Sequence, residues 1–263
     1  MCTRRMRHTA QISKMSELIK KIANLQEIMQ KIRNHETLYA VMSLCTRMPF
    51  VYCNPETFDD EVFIYFDKDE ANKGARWLLE RKEPIQLAKI DKKSRLAFFT
   101  SLLPMGVNAI SVDKGLAQET GFQLNQLIYR QETEQMPDGQ IRIENPQLHL
   151  TCLYFAQELR KKMASRDERA EELKDLNEEL AAHFRRGKYI IAVEEGKGIP
   201  LLQKNGETYQ PVFTDIREFQ KFNREKRYGG AVVEYEKVKE ILAPETKGVA
   251  VNPLGVNILL KMK

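Results

Sequence analysis

The feature that most constrains this chain is the succession of turn signals and changes of hydrophobic period between Lys188 and Lys263. The apolar run Tyr189 to Val193 ends at Glu194-Glu195-Gly196-Lys197-Gly198, which predicts a buried strand entering a glycine turn. A second strand, Ile199 to Gln203, stops at Asn205-Gly206, a pair that tolerates positive φ and closes two-residue hairpins. The third strand, Thr208 to Phe213, must then return antiparallel. Pro211 within it lacks a ladder donor, which predicts an edge or a bulge there. The period then changes. Thr214 or Asp215 caps a helix carrying Ile216, Phe219 and Phe222, with Glu218 placed as in a capping box. A short strand, Ala231 to Val233, precedes a helix striped by Val238, Ile241 and Leu242, which Pro244 ends. Gly248, Val249 to Val251, the turn Asn252-Pro253-Leu254-Gly255 and the strand Val256 to Leu260 complete the order β-β-β-α-β-α-β-β.

A worn copy of this pattern precedes it. Leu38 to Leu44 resemble Tyr189 to Val193, Met48-Pro49-Phe50-Val51 resemble Ile199-Pro200-Leu201-Leu202, and Val62 to Phe66 resemble Pro211 to Phe213. Asp67, in the place of Thr214, opens a helix with Glu70 three residues on. Pro84 to Ala88, Leu96 to Leu103 and Gly106 then match Ala231 to Val233, the second helix and Gly248. The reading is a duplication with insertions in the first copy. It predicts an α+β chain organised as a basic tail and amphipathic helix (1–35), a diverged first module (36–130), a hairpin and connecting helix (131–187) and a second module (188–263).

Phe213-Thr214-Asp215 opening a helix, the apolar helix of Val238, Ile241 and Leu242, and Gly248-Val249-Ala250-Val251-Asn252-Pro253 before a last strand together resemble the SseB family, named for an enhanced serine sensitivity phenotype. The likeness covers nearly all of the second module and the first only loosely. It implies a bacterial cytoplasmic α/β protein, often built of repeated modules, with no established catalytic activity and no agreed active-site residues to carry over.

Composition narrows the function classes. A chain of 263 residues with 42% hydrophobic content can fill one or two globular cores. The net charge of +5 arises from 42 basic and 37 acidic residues, a mixed surface that argues against nucleic acid. Cys2, Cys45, Cys53 and Cys152 form no CxxC pair, and Arg4, Arg5 and Arg7 are not followed by an apolar signal-peptide core, so a reducing cytoplasm is expected. No apolar run approaches the ~18 residues of a membrane span.

Residues 1 to 12 read as a basic, poorly ordered tail. Met15, Leu18, Ile22, Leu25, Met29 and Ile32 then repeat at alternating three- and four-residue spacing, widened by Ile19 and Ile28. That stripe packs either on its own domain, the favoured reading, or in a homodimer through the helix Met15 to Ile32. Between the modules, Pro137-Asp138-Gly139 predicts a hairpin with Ile141 and Ile143 on one face, and one long helix is expected from Leu148 to Arg185, with Leu159, Met163, Ala170, Leu173, Leu180 and Phe184 as its core positions.

Catalytic motifs are scarce. His8, His35, His149 and His183 show no metal-ligand spacing and read as helix-end or surface residues. Cys45 and Cys53 read as buried thiols rather than nucleophiles. Gly196-Lys197-Gly198 lacks the GxxxxGK[ST] pattern and reads as a hairpin turn, and adjacent Glu194 and Glu195 face opposite ways on a strand. The sequence therefore predicts a non-catalytic binding or adaptor protein with a protein partner, no cofactor and no metal. Its expected recognition loops are Phe213, Thr214 and Asp215 with Asn252, Pro253 and Gly255. The alternative is an enzyme whose site lies at the interface of the modules; a nucleic-acid binder using Arg4 to Arg7 and Arg185-Arg186 is a third reading.

Overall fold

The computed structural model describes residues 2–130, 141–161 and 170–262. Helix α1 (Cys2–Asn34) is followed by β1 (Thr37–Ser43), β2 (Val51–Cys53), β3 (Asp60–Tyr65), α2 (Lys68–Gly74), α3 (Arg76–Glu80), β4 (Ile85–Asp91), α4 (Arg95–Leu102), β5 (Ala109–Val112), β6 (Thr120–Gln123) and α5 (Leu124–Leu127). Helices α6 (Pro146–Arg160) and α7 (Ala170–Phe184) lead to β7 (Lys188–Val193), β8 (Leu202–Lys204), β9 (Glu207–Val212), α8 (Ile216–Phe222), β10 (Gly229–Glu234), α9 (Tyr235–Glu240), β11 (Thr246–Val251) and β12 (Ile258–Lys261). The chain is α+β; the second part runs β-β-β-α-β-α-β-β, and the first follows the same order with two short helices, α2 and α3, in the place of α8.

Strand pairing recurs as well. In the first part the order is β4-β1-β3-β5-β6 with β2 on β3; only β3 and β5 run parallel. In the second, β10 pairs β7, while β12-β11-β9-β8 form a separate sheet in which only β9 and β11 run parallel. A lone bridge, Ile190 to Phe213, joins these two sheets. Pro211 accounts for the break. Phe213 N–H donates to Ile190 O at 2.9 Å, so by the period of two the backbone of residue 211 also faces β7, and proline has no N–H to give there. The predicted edge is thus a seam between two sheets. Asn205 and Gly206 both adopt positive φ, as the hairpin signal requires.

The pairing fixes which positions occupy equivalent places, and these differ from the sequence match. Phe213 faces Ile190 as Tyr65 faces Tyr39, so Phe213 stands where Tyr65 stands, not Phe66. Gly248 pairs with Tyr209 as Ala109 pairs with Glu61, so its counterpart is Ala109, not Gly106. Asp67 and Asp215 are the matching caps: each accepts the N–H groups two and three residues ahead.

The largest core cluster spans both parts and wraps α6, whose Leu148, Cys152, Leu153 and Ala156 are buried among Val62, Ile110, Val212 and Val249. A second cluster fills the far face of the first sheet around Phe63, Tyr65 and Leu78. A third packs Phe213 and Phe219 beneath α8.

Three expectations are corrected. The helix from Leu148 to Arg185 is replaced by α6 and α7, because Lys161 turns extended (ψ 121°) and α7 folds back to bring Glu179 and His183 to Thr151. Of the expected core positions, Leu180 and Phe184 are buried and Leu159 is 45% exposed; Met163 lies outside the described residues. The Pro137-Asp138-Gly139 hairpin also lies outside them, and Ile141 and Ile143 do not share a face: one is exposed and the other buried. The segment expected as a basic tail belongs to α1 from Cys2 onward. The stripe of α1 divides, with Leu25, Ile28, Met29 and Ile32 packed on the core and Met15, Leu18, Ile19 and Ile22 exposed. No helix among the described residues is long and apolar enough to cross a membrane.

Two glycines should respond differently to substitution. At Gly248 (φ +154°), beside a register shift in β11, an added Cβ would collide with the Leu260 carbonyl; at Gly196 (φ +74°) it would meet nothing within 4 Å. Gly248→Ala should cost about 3 kcal/mol or more, through overpacking plus strain, and Gly196→Ala about 1–2 kcal/mol. Urea denaturation of both variants measures the difference.

Candidate functional site

Parallel β9 and β11 end side by side, so the residues that follow them meet at the carboxyl edge of the sheet, where open α/β sheets place their crevices. Asn252 adopts a left-handed backbone (φ 47°), which asparagine tolerates. Its Oδ1 accepts Thr214 N–H at 2.9 Å and its Nδ2 donates to Thr214 Oγ1 at 2.8 Å. The Thr214 hydroxyl in turn donates to Asp215 Oδ2 at 2.8 Å. Asp215 Oδ1 caps α8 by accepting Arg217 N–H (2.9 Å) and Glu218 N–H (3.1 Å).

Helix α6 closes this network from the other side. Asn145 Nδ2 at its N-cap donates to Thr214 O (2.8 Å) and Lys188 O (2.7 Å). One turn on, His149 Nδ1 lies 3.3 Å from Thr214 Oγ1 and 3.5 Å from Asp215 Oδ2. The threonine proton is committed to Asp215, so Nδ1 faces two acceptors and is assigned the ring proton. In the neutral ring that leaves a lone pair on Nε2, which is buried and without a hydrogen-bond partner among the described residues. Burial pushes the Asp215 carboxyl up, but the His149 ring, the Thr214 hydroxyl and the Glu218 N–H outweigh it and hold the group below the usual carboxylate range.

Glu218 adds a second buried carboxylate. Lys221 pairs with one of its oxygens; the other has no hydrogen-bond partner among the described residues and rests against Gly255, where a Cβ would overlap it. A side chain at position 255 would have to displace the Glu218 carboxylate, the far end of its side chain.

His149, Asp215 and Glu218 form one wall of a cleft of about 270 Å³. The first module supplies the opposite wall through Met42, Met48, Pro49, Phe98, Pro104 and Met105, and Arg47, Arg217 and Lys221 add cations. The geometry can hold a small molecule against an apolar face, beside two residues that each keep one polar atom without a hydrogen-bond partner among the described residues, His149 at Nε2 and Glu218 at one oxygen. No group of three or more His, Cys, Asp or Glu suited to a metal ion occurs among the described residues.

The equivalent edge of the first module is built differently. Asp113 (φ 54°) takes the place of Asn252 and bonds the Phe66 N–H. Burial and the nearby Glu70 raise its carboxyl, with Lys31 pulling the other way. Lys31 of α1 lies 3.9 Å from the Phe66 ring centroid, and both residues line a second hollow of about 420 Å³.

The expected recognition residues are largely spent on one another. Phe213, Thr214, Asp215, Asn252 and Pro253 are buried and Gly255 is half-buried; on that turn only Leu254 is well exposed, at 59%. Of the six, Asp215 reaches the cleft. Sequence reasoning passed over His149, which it placed at a helix end or surface, together with Glu218, Arg47 and Arg217. His149 could have been found from its setting between Leu148 and the apolar face Cys152, Leu153, Ala156, which marks it as buried.

No family model and no curated protein matches the chain. Solved structures similar to it include Tic22 from Plasmodium falciparum, at 13% identity over 84% of this chain and 89% of that one with a TM-score of 0.22. Another is Anabaena Tic22, titled a protein-transport protein, at 10% identity over 84% and 92% with a TM-score of 0.20. Likenesses this loose bear on neither fold nor activity.

The two edges should titrate with opposite signs. Asp215 is depressed in the folded state, so its stabilisation is complete above the unfolded value of about 3.9 and is lost as pH falls through and below it. Asp113 is raised, so its ionised form costs stability at pH 7 and the cost disappears in acid. Asp113→Asn should raise the urea midpoint at pH 7, an advantage that vanishes below about pH 4, whereas Asp215→Asn should lower the midpoint at pH 7 and flatten the acid limb. Urea midpoints across pH 3–8 check both.

Proposed function

We propose that the chain is a non-catalytic binding or adaptor protein of the bacterial cytoplasm, a two-module member of the SseB-like type, and that its ligand enters the cleft between the modules. The carrying observation is the cleft itself, which neither module forms alone: its apolar wall comes from the first module and α4, its polar wall from α6 and α8. The recurring element order and strand pairing support a duplication. In this reading the second module kept the polar edge built on Thr214, Asp215 and Asn252, and the first gave up an equivalent edge and contributed the facing wall. The exposed half of α1, with Met15, Leu18, Ile19 and Ile22, offers a separate surface for a protein partner, including a second copy.

One observation favours an enzyme instead. A carboxylate-oriented imidazole with an unshared Nε2 is the arrangement of a general base. Against it, the cleft presents no activated nucleophile among the described residues. The Ser101 hydroxyl donates to Phe98 O at 2.6 Å, and the thiol of Cys152, on the same helix as His149, is fully buried and pushed up by that burial.

Native mass spectrometry after incubation with a small-metabolite extract tests the binding reading. A bound species is expected in the wild type and not in Ser101→Trp, which fills the cleft from α4. Turnover of any bound species by the wild type, absent from His149→Gln, would replace the binding reading with the enzymatic one.

A further inference from the structure

The cleft's unpaired groups specify a ligand class, an inference that rests on the binding reading above. Lys221 pairs with Glu218, and Asp215 is held by the Thr214 hydroxyl and the α8 amides beside His149 Nδ1. Two cationic groups have no such carboxylate partner. Among the described residues Arg47 makes no ion pair, and Arg217 donates only to the neutral Thr100 hydroxyl, at 2.9 Å. Both guanidiniums are exposed, whereas Met48, Pro49, Pro104, Met105 and His149 are buried. Charge therefore sits at the mouth and the apolar surface within. The N-terminal amides of α8 are already occupied by Asp215, so an anion must be met by the guanidiniums.

His149 Nε2 adds the third requirement. In the neutral ring, with its proton on the Thr214–Asp215 side, the unpartnered Nε2 calls for a donor. The volume, about 270 Å³, lies just under the usual range of small-molecule sites, about 300–1,000 Å³, and suits a small ligand.

We infer that the cleft binds a small carboxylic acid with an apolar tail and an N–H or O–H donor: carboxylate to Arg47 and Arg217, tail against Met48 and Met105, donor to His149 Nε2. A 2-amino acid and a 2-hydroxy acid share this chemistry.

Isothermal titration of the full chain with four probes tests it. Leucine and 2-hydroxy-4-methylpentanoate carry all three features, 4-methyl-2-oxopentanoate lacks the donor, and 3-methylbutanol lacks the carboxylate; comparing the first two separates the two sources. At least one of the first two should bind about ten-fold more tightly than either incomplete probe. Arg47→Ala/Arg217→Ala, which alters only exposed side chains, should weaken that binding about ten-fold or more, as should raised salt. His149→Leu should erase the preference over the 2-oxo acid. Equal binding of the alcohol, or an unchanged affinity in the double arginine variant, overturns the inference. If none of the four binds while a species from the extract is still lost in Ser101→Trp, this inference falls and the binding reading stands; if nothing binds in either experiment, both fall.

Discussion

Everything in this fold hangs on α6, which bonds the backbone of both modules with its own side chains. Gln157 pairs with both groups of one residue, accepting Val51 N–H at 3.2 Å and donating to Val51 O at 3.1 Å. Arg160 crosses the junction with a single guanidinium, donating to Cys45 O (3.0 Å) on one side and to Val256 O (2.7 Å) and Asn257 O (2.8 Å) on the other. Tyr154 donates to Asp60 of β3, and Asn145 holds the ends of β7 and β9. Unmade, the buried Gln157–Val51 bonds would each leave a polar group unsatisfied at a cost of about 1–3 kcal/mol, and with the part-buried bonds of Arg160 and Tyr154 they give the two sheets a preferred placement around this helix. The cleft exists because of that placement.

Local chemistry explains which parts of this were legible in the sequence. The glycine and asparagine turns, the Pro211 interruption and the periods of 2 and 3.6 are set by residues within a few positions of one another, and the element order follows from them. Apolar identity pairs Phe66 with Phe213, whereas capping pairs Asp67 and Glu70 with Asp215 and Glu218 at the same spacing, and the strand pairing follows the caps. The long helix was misread because charged residues on both sides of 162–169 continue a helical pattern without specifying which segments have a core to pack on. His149 gave no motif because its partners are 65 and 66 positions away in sequence, a distance no local pattern reports.

The polar edge of the second module is a buried network in which nearly every group is answered. Asn252, Thr214, Asp215 and the α8 amides satisfy one another, which makes them a rigid footing rather than an exposed recognition loop. The atoms left over, His149 Nε2 and one oxygen of Glu218, belong to residues of the cleft wall. In the first module Asp113 replaces the amide, and the network loses the donor that Asn252 supplies to Thr214. One edge is thus built to hold an imidazole in a fixed orientation and the other is not.

Helix α6 makes the two modules a single cooperative body. Trp77, the one tryptophan, sits in the first module against Tyr52, and the amides of Ile190, Val212 and Val251 report the second. Urea unfolding followed in parallel by Trp77 fluorescence and by the NMR signals of those amides should give coincident midpoints. A Trp77 transition separated from that of the amides would mean that the modules unfold independently, and would contradict the account.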